Sequence, residues 1–379
     1  MNCEYFKSKH CSSCSLLDLS YEKSILKKEK DLASLFTNFD VTYRPSVFLN
    51  DNLIGSRNKS KLVVSLVNEE IQFGFMDQSQ LFKILENCPI QNEELNKVLP
   101  SIKELLKKHK IPPYNIDHKK GELKYLLLTY SETTNELLVR FVLRSKESLE
   151  RLSKLASELM LIRKNIIVVT ANIQSEHKAI HEGEVEIVLS ERSSIIHKFD
   201  DINLYQGPKS FFQTNSKIAR ALYQTLQKEL AGKKIRTLLD LYCGVGAFSF
   251  YSQKHCEKVI GIEISSDAIG FANESKKEKK LLKMEFIADD VESYLENTNH
   301  SNIDAVIVNP PRRGLNPNII ERIIRLAPEY IFYSSCNAKS MSRDYVDLKQ
   351  SYTPISLQLF DMFPFTDHYE TFGILKKSS

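Results

Sequence analysis

The stretch 235-IRTLLDLYCGVGAFSF-250 decides the fold: an apolar strand runs into a glycine-spaced turn and out into a second apolar run. Asp240, Gly244 and Gly246 stand in a D-x-x-x-G-x-G arrangement. Glycines there allow the backbone to approach a ligand closely, and the helix that follows offers unpaired N–H groups. The next strand-like run, "KVIGIEI", carries Glu263 near its end, where a carboxylate can accept both hydroxyls of a ribose. A third run, "MEFIADD", ends in Asp289 and Asp290, suited to an adenine amino group. A dinucleotide fingerprint wants a third glycine where Ser249 stands. No pyrophosphate has to be held if the ligand is S-adenosylmethionine, and that methyl donor is the reading favoured over a nicotinamide cofactor.

Working outward, "SKIARALYQTLQKEL" has the spacing of an amphipathic helix, "IDAVIVN" reads as a fourth strand and "EYIFYSS" as a fifth, with helical stretches between most of them. This alternation predicts a doubly wound α/β domain of Rossmann-like type with a largely parallel sheet, whose ligands bind beyond the carboxyl ends of the strands. The fourth strand ends in "VNPPRRGL". Its two prolines fix an extended loop without backbone donors, and Asn309 falls at the strand tip. An N-P-P-aromatic motif of amino-methyltransferases would need an aromatic residue where Arg312 stands. The fifth strand delivers a thiol, Cys336, on the same predicted edge as Gly244, Glu263 and Asn309. On residues alone, a lone cysteine is more often a small core filler than a nucleophile. The nucleophile reading has a chemical reason: carbon 5 of uracil attacks a methyl group only after a thiolate has added at carbon 6. A base must then remove the carbon 5 proton, and "TDHYETFGILKK" offers Glu370 at the start of an apolar run that reads as a last strand.

The chain has 379 residues, enough for two domains. Its first half reads as mixed, with strand hairpins in "KLVVSLVNEEIQFGFM" and "ELKYLLLTYSETTNELLVRFVLRS", a helix in "KESLERLSKLASELMLIRKN" and further strands in "NIIVVTANI" and "EVEIVLS". Gly207 and Pro208 break that pattern, and the expected division is 1–204, an α+β domain with an antiparallel sheet, and 205–379, the methyltransferase-like domain. No apolar run approaches the roughly 20 residues needed to cross a bilayer, and the N-terminus lacks a secretory signal, so a cytoplasmic protein is expected. Thiols stay reduced there, and seven cysteines, an odd number, fit no disulfide framework. Cys3, Cys11 and Cys14 have C-x7-C-x2-C spacing, and Cys88 precedes a proline. Four thiolates of this kind hold either zinc or a [4Fe–4S] cluster, and spacing alone does not choose. His10 reads as a surface histidine, and Cys243 and Cys256 as small apolar fillers. Net charge is only +4, but "IKELLKKHK", "DHKKGELK" and "KKEKKLLK" are locally basic, which suits solvated helix faces and is compatible with a phosphate-binding surface.

Taken in order, "FFQTN", "LDLYCGVGAFSF", "VNPPRRGL", "SSCNAKSMSRD" and "HYE" resemble the motifs of the RNA (uracil-5-)-methyltransferase family, over nearly the whole chain. The resemblance implies Cys336 as nucleophile, Glu370 as base, and Gln213, Tyr242, Glu263 and Asn309 as contacts of S-adenosylmethionine; Asp240, Gly244, Gly246 and Asp290 complete the expected donor site. Many members carry aspartate where Asn309 stands. With the N-terminal cysteines, the "NPPRRG" form looks like the iron–sulfur branch that modifies 23S ribosomal RNA, which implies a [4Fe–4S] cluster on Cys3, Cys11, Cys14 and Cys88. An N-terminal oligonucleotide-binding barrel, present in some relatives, is not expected, since the first of these cysteines is the third residue. RNA would then be held by the first domain and the methyltransferase surface, by a monomer.

Overall fold

A computed structural model describes residues 1–49, 53–176, 182–297 and 302–378. The chain divides into two compact units, one formed by Met1–Ser13 and Asn52–Lys198, the other by Cys14–Asp51 and Phe199–Ser379.

The second unit is built on an eight-stranded sheet. Its order across the sheet is Thr42–Val47, Tyr352–Phe360, Glu370–Lys377, Tyr330–Ser335, Ala305–Val308, Ile235–Leu241, Cys256–Glu263 and Met284–Ala288. The five strands from Tyr330–Ser335 to Met284–Ala288 are parallel to one another. Their near-continuous apolar sequences follow from burial on both faces: Val306, Ile307, Ile331 and Phe332 have no exposed surface. The last strand, Glu370–Lys377, is antiparallel to both of its neighbours. That reversal matters for the site, because it brings the beginning of the last strand to the end of the fifth Rossmann strand.

The expected division needs two corrections. Residues 14–51, expected in the first domain, belong to the methyltransferase-like unit. Helix Tyr21–Leu35 buries Leu32, and Phe36 just beyond it, in the same apolar cluster as Leu239, Val306 and Tyr345. Strand Thr42–Val47 pairs in parallel with Tyr352–Phe360, Thr42 opposite Ser356. The later boundary falls at Lys198/Phe199 rather than at 204/205.

The first unit carries a seven-stranded sheet, Phe82–Ile84, Glu70–Met76, Lys59–Val67, Leu123–Ser131, Glu136–Leu143, Ile166–Ile173 and Val185–Val188 in spatial order. The two hairpins read from the sequence form antiparallel pairs. Helix Leu149–Ile162 connects Glu136–Leu143 to Ile166–Ile173, the parallel pair in an otherwise antiparallel sheet, as a crossover connection requires. Leu152, Leu155, Ala156 and Leu159, at helical spacing, bury the helix against that sheet.

Candidate active site

The glycine turn begins where strand Ile235–Leu241 ends. Tyr242, Gly244 and Gly246 all have positive φ (62°, 56° and 84°), so the chain turns sharply before helix Ala247–Ser252. The two glycines serve different needs. A Cβ on Gly246 would lie 2.7 Å from the Phe286 ring, so this glycine allows close packing; one on Gly244 would meet nothing within 4 Å, so its open side is left for a ligand. Glu263 closes the neighbouring strand, and its two oxygens accept N–H groups from Gly244 (3.3 Å) and Ser265 (2.9 Å). The carboxylate is thereby fixed at the carboxyl edge while lone pairs remain for a diol. Asp290 caps the helix Val291–Asn297, its Oδ1 accepting from Glu292 and Ser293. Tyr242 is half-buried, and burial pushes its phenol up to about 12.

Asp240 is wholly buried. Ser249, the residue in place of a third glycine, donates its hydroxyl to Asp240 Oδ2 at 2.5 Å, while Oδ1 has no hydrogen-bond partner. Burial pushes this carboxyl up to about 7. Gln213 is buried in the stretch before helix Ser216–Leu230, and the backbone N–H of Asn309 donates to Leu241 O at 3.4 Å, which joins the "NPP" loop to the donor strand.

Register explains how the thiol and carboxylate meet. Ser334 lies opposite Phe372 and Ser335 opposite Thr371, so the next positions on this antiparallel pair are Cys336 and Glu370. Ser334 donates to Glu370 Oε1 at 2.5 Å. The Glu370 side chain is buried, and burial pushes it up to about 7, with the Ser334 hydrogen bond pulling the other way. Cys336 is partly exposed; burial and the Glu370 charge push its thiol up, and a hydrogen bond and charge from Arg312 oppose them. Two adjacent acids cannot both ionise cheaply, so thiolate formation favours a protonated Glu370 and a nearby guanidinium.

Two anchors that sequence reasoning missed hold these groups. Asp344, itself buried, accepts from Tyr333 Oη (2.7 Å), the Leu315 N–H (2.7 Å) and Arg343, while Asn337 Nδ2 donates to Arg312 O at 2.8 Å. These bonds tie the strand, the thiol turn and the "NPPRRG" loop together. The second anchor is the relocated segment 14–51. Tyr21 donates to Asp361 (2.6 Å), Lys28 pairs with the same carboxylate (2.5 Å), Leu16 N–H donates to Phe365 O (2.9 Å) and Tyr369 donates to Asp31 (2.6 Å). The loop that leads into Glu370 is braced at three positions, Asp361, Phe365 and Tyr369, by four residues that carry no chemical motif; only their place in the segment that begins at Cys14 could draw attention to them.

The cysteines expected to bind a metal divide between the units, Cys3, Cys11 and Cys88 in the first and Cys14 in the second. All seven cysteines are outside disulfides. The Cys88 thiol is pushed up, first by burial and then by the charges of Cys11 and Cys3, so these three lie within electrostatic reach of one another. Among the described residues no three Cys, His, Asp or Glu side chains are grouped tightly enough to hold a single metal ion. His10 is not the bare surface residue expected: half-buried, its Nε2 bonds Ile84 O at 2.8 Å and pins the N-terminal cysteine arm to strand Phe82–Ile84. Cys243 and Cys256 are buried apolar fillers, as expected.

With this geometry in place, residues 20–378 match the model of the tRNA (Uracil-5-)-methyltransferase family. The chain belongs to this family. Among curated members of the uracil-5-methyltransferases, the 23S rRNA (uracil(747)-C(5))-methyltransferase RlmC of Xenorhabdus nematophila is 39% identical over 376 residues, covering 99% of each chain. The protein of the same name from Haemophilus influenzae is 37% identical over 389 residues, covering 100% of this chain and 99% of its own. Among solved structures, the Pyrococcus abyssi tRNA (uracil-54, C5)-methyltransferase in complex with S-adenosyl-L-homocysteine is similar with a TM-score of 0.78 and 26% identity, over 96% of this chain and 85% of that one. As a uracil-5-methyltransferase the protein has the α/β methyltransferase fold expected of it. No described helix is long and apolar enough to cross a membrane.

Proposed function

We propose that this uracil-5-methyltransferase methylates carbon 5 of a uridine in 23S ribosomal RNA, at the position equivalent to 747 in its named relatives, through a covalent Cys336 adduct. The observation that carries the mechanism is the strand register that sets Cys336 and Glu370 side by side at the carboxyl edge of the sheet. The rRNA target rests on the relatives named above, similar over their whole length.

The thiolate of Cys336 adds to carbon 6 of the ring, and the displaced electron pair moves through carbon 5 to the carbonyl at carbon 4. Bound S-adenosylmethionine supplies the methyl group that carbon 5 takes up. With its sulfur bonded to carbon 6 Cys336 carries no charge, so Glu370 ionises beside it and as the carboxylate removes the proton from carbon 5, and the sulfur–carbon 6 bond breaks to restore the thiolate and the aromatic ring. Arg312 favours the thiolate, and Ser334 orients the base. The open side of Gly244, the fixed Glu263 carboxylate and the unpartnered Asp240 oxygen suit a cationic nucleoside donor, which Gln213, Tyr242, Gly246, Asp290 and Asn309 would also contour.

The same reading gives Cys3, Cys11, Cys14 and Cys88 to a [4Fe–4S] cluster, which their four thiolates would hold. Its role is structural, since methyl transfer moves no net electrons, and the protein acts as a cytoplasmic monomer. Absorbance near 400 nm in anaerobically purified protein supports the cluster; a colourless protein holding one zinc refutes it.

The direct test uses 23S rRNA fragments carrying 5-fluorouridine at the target. Fluorine cannot leave as a cation, so the wild-type protein becomes trapped on the RNA. Cys336→Ala is expected to lose both the trapped complex and methyl incorporation, and a trap that persists in this variant overturns the assignment.

A further inference from the structure

In the first unit, the locally basic runs "IKELLKKHK" and "DHKKGELK" converge on one cavity of about 670 Å³. Its floor is apolar, with Ile71, Leu106 and Ile111 buried. Its wall is charged. Lys107, Lys110, Lys119, Lys120, Arg144 and Arg151 line it, against three carboxylates, Glu69, Glu122 and Glu147.

The pairing of these charges is uneven. Glu122 and Glu147 are both engaged by Arg144, and Lys107 faces Glu70 outside the cavity. Among the described residues, no carboxylate pairs with Lys110, Lys119, Lys120 or Arg151; Arg151 instead donates to Lys110 O and to Ser148 Oγ at 2.8 Å. Against these four cations the cavity keeps one carboxylate, Glu69, that no ion pair among the described residues engages, so the concave site holds a surplus of three positive charges. The loop that presents two of them is built. Asn115 and Lys120 exchange both backbone hydrogen bonds (2.7 and 3.3 Å), and Gly121, at φ +94°, lets the chain pass so close to Pro113 O that a Cβ would sit 2.0 Å from it. Such a loop holds its lysines together at little further entropic cost when an anion arrives.

We propose that this cavity is an RNA-docking site, at which the phosphate backbone of the substrate RNA, away from the target uridine, is held by Lys110, Lys119, Lys120 and Arg151. The inference rests on the reading that the substrate is RNA, and adds where the first unit grips it. A polyanion satisfies Lys110, Lys119, Lys120 and Arg151 around the cavity; the engaged Glu122 and Glu147 add little repulsion, and Glu69 offsets one of the four charges. Contacts of this kind position the RNA without reading its sequence.

The test replaces Lys110, Lys119 and Lys120 together by glutamine in the full chain and measures binding of a transcribed 23S rRNA fragment over a salt series. Lys276→Gln, Lys277→Gln and Lys280→Gln, together, remove the same charge from a basic run in the other unit. The cavity variant is expected to bind about 10- to 100-fold more weakly near physiological salt and to lose about 2 from the log–log salt slope. Its KM for RNA should rise while kcat at saturating RNA holds, and thermal unfolding should show that it is folded. Wild-type affinity and slope in the cavity variant, equal weakening by both triple variants, or displacement of the RNA by micromolar uridine monophosphate each overturn the proposal; the last would mark a small-anion site. Binding needs no turnover, so failure of the wild-type protein to form the 5-fluorouridine trap, or a trap that persists in Cys336→Ala, would refute the functional reading without touching this one.

Discussion

Arg140, in the seven-stranded sheet, and Glu370 and Asp240, in the eight-stranded sheet, are all buried, but they are surrounded differently. Arg140 donates to Glu182 at 2.7 Å and to Glu186 at 2.6 and 2.9 Å; Glu186 in turn accepts from Thr170 and Asn172. The guanidinium is saturated by two counter-ions and held charged. Glu370 and Asp240 each have a serine instead, Ser334 and Ser249, and no cation. Burial therefore wins over hydrogen bonding, and both carboxyls rise to about 7. The contrast separates a buried charge that specifies structure from one kept available to take and lose a proton at neutral pH.

The largest effect expected from breaking this contrast is at Glu370. Glu370→Gln keeps the hydrogen bond from Ser334 but cannot take the carbon 5 proton. Turnover should fall by about 10²–10⁴-fold, while one methyl group is still transferred and the covalent protein–RNA complex accumulates on gels with ordinary uridine RNA. Normal turnover would remove Glu370 as the base. In the wild type the base works only when ionised and the nucleophile only as thiolate, so the rate should climb with pH through the Glu370 value of about 7 and keep rising toward the raised Cys336 thiol. A flat profile from pH 5.5 to 8 would contradict that.

Arg140 should behave in the opposite way. Arg140→Met leaves Glu186 and Glu182 without their counter-ion, which costs about 3–5 kcal/mol of stability. Chemical denaturation reads the loss, and the midpoint of the pH–rate profile should not move. A shift of that midpoint would show that the two sheets do not divide structural from titrating charge.

What is legible in the sequence follows the same division. Periodicity and turn chemistry are local, so the Rossmann strands, the glycine turn at Gly244 and Gly246 and the hairpins of the first unit can be read from the residues alone. Cys336 and Glu370 are legible as a pair only because the one follows and the other opens an apolar run; that they share a register is a property of the antiparallel last strand. Segment 14–51 escapes a local reading because its partners lie at the far end of the chain: Thr42 pairs with Ser356 and Lys28 with Asp361. No local pattern encodes such a partner. Arg140, inside "ELLVRFVL", and Asp344, inside a helix, look like ordinary charges in the sequence, because the acceptors and donors that converge on them come from other elements.

The smallest effect, and the finest test of the contrast, is at Asp240. Its carboxyl in the folded protein is raised to about 7 from an ordinary value of 3.8, so the folded state prefers the protonated acid. That preference is a stabilising term fully present below about pH 4 and lost as pH rises through 7, where a buried carboxylate with an unpartnered Oδ1 must be tolerated. Asp240→Asn has the same shape, accepts from Ser249 and does not titrate. Against the wild type it should gain stability steadily between about pH 4 and 7, up to roughly 4 kcal/mol, level off above pH 7 and show no gain near pH 4. Glu370 titrates over the same range in both proteins, so the variant's decline with pH should be reduced but not abolished. Urea midpoints across that range measure the difference. A constant offset at every pH would mean that Asp240 stays ionised throughout, held by a counter-charge as Arg140 is, and the distinction between the two sheets would then rest on Glu370 alone.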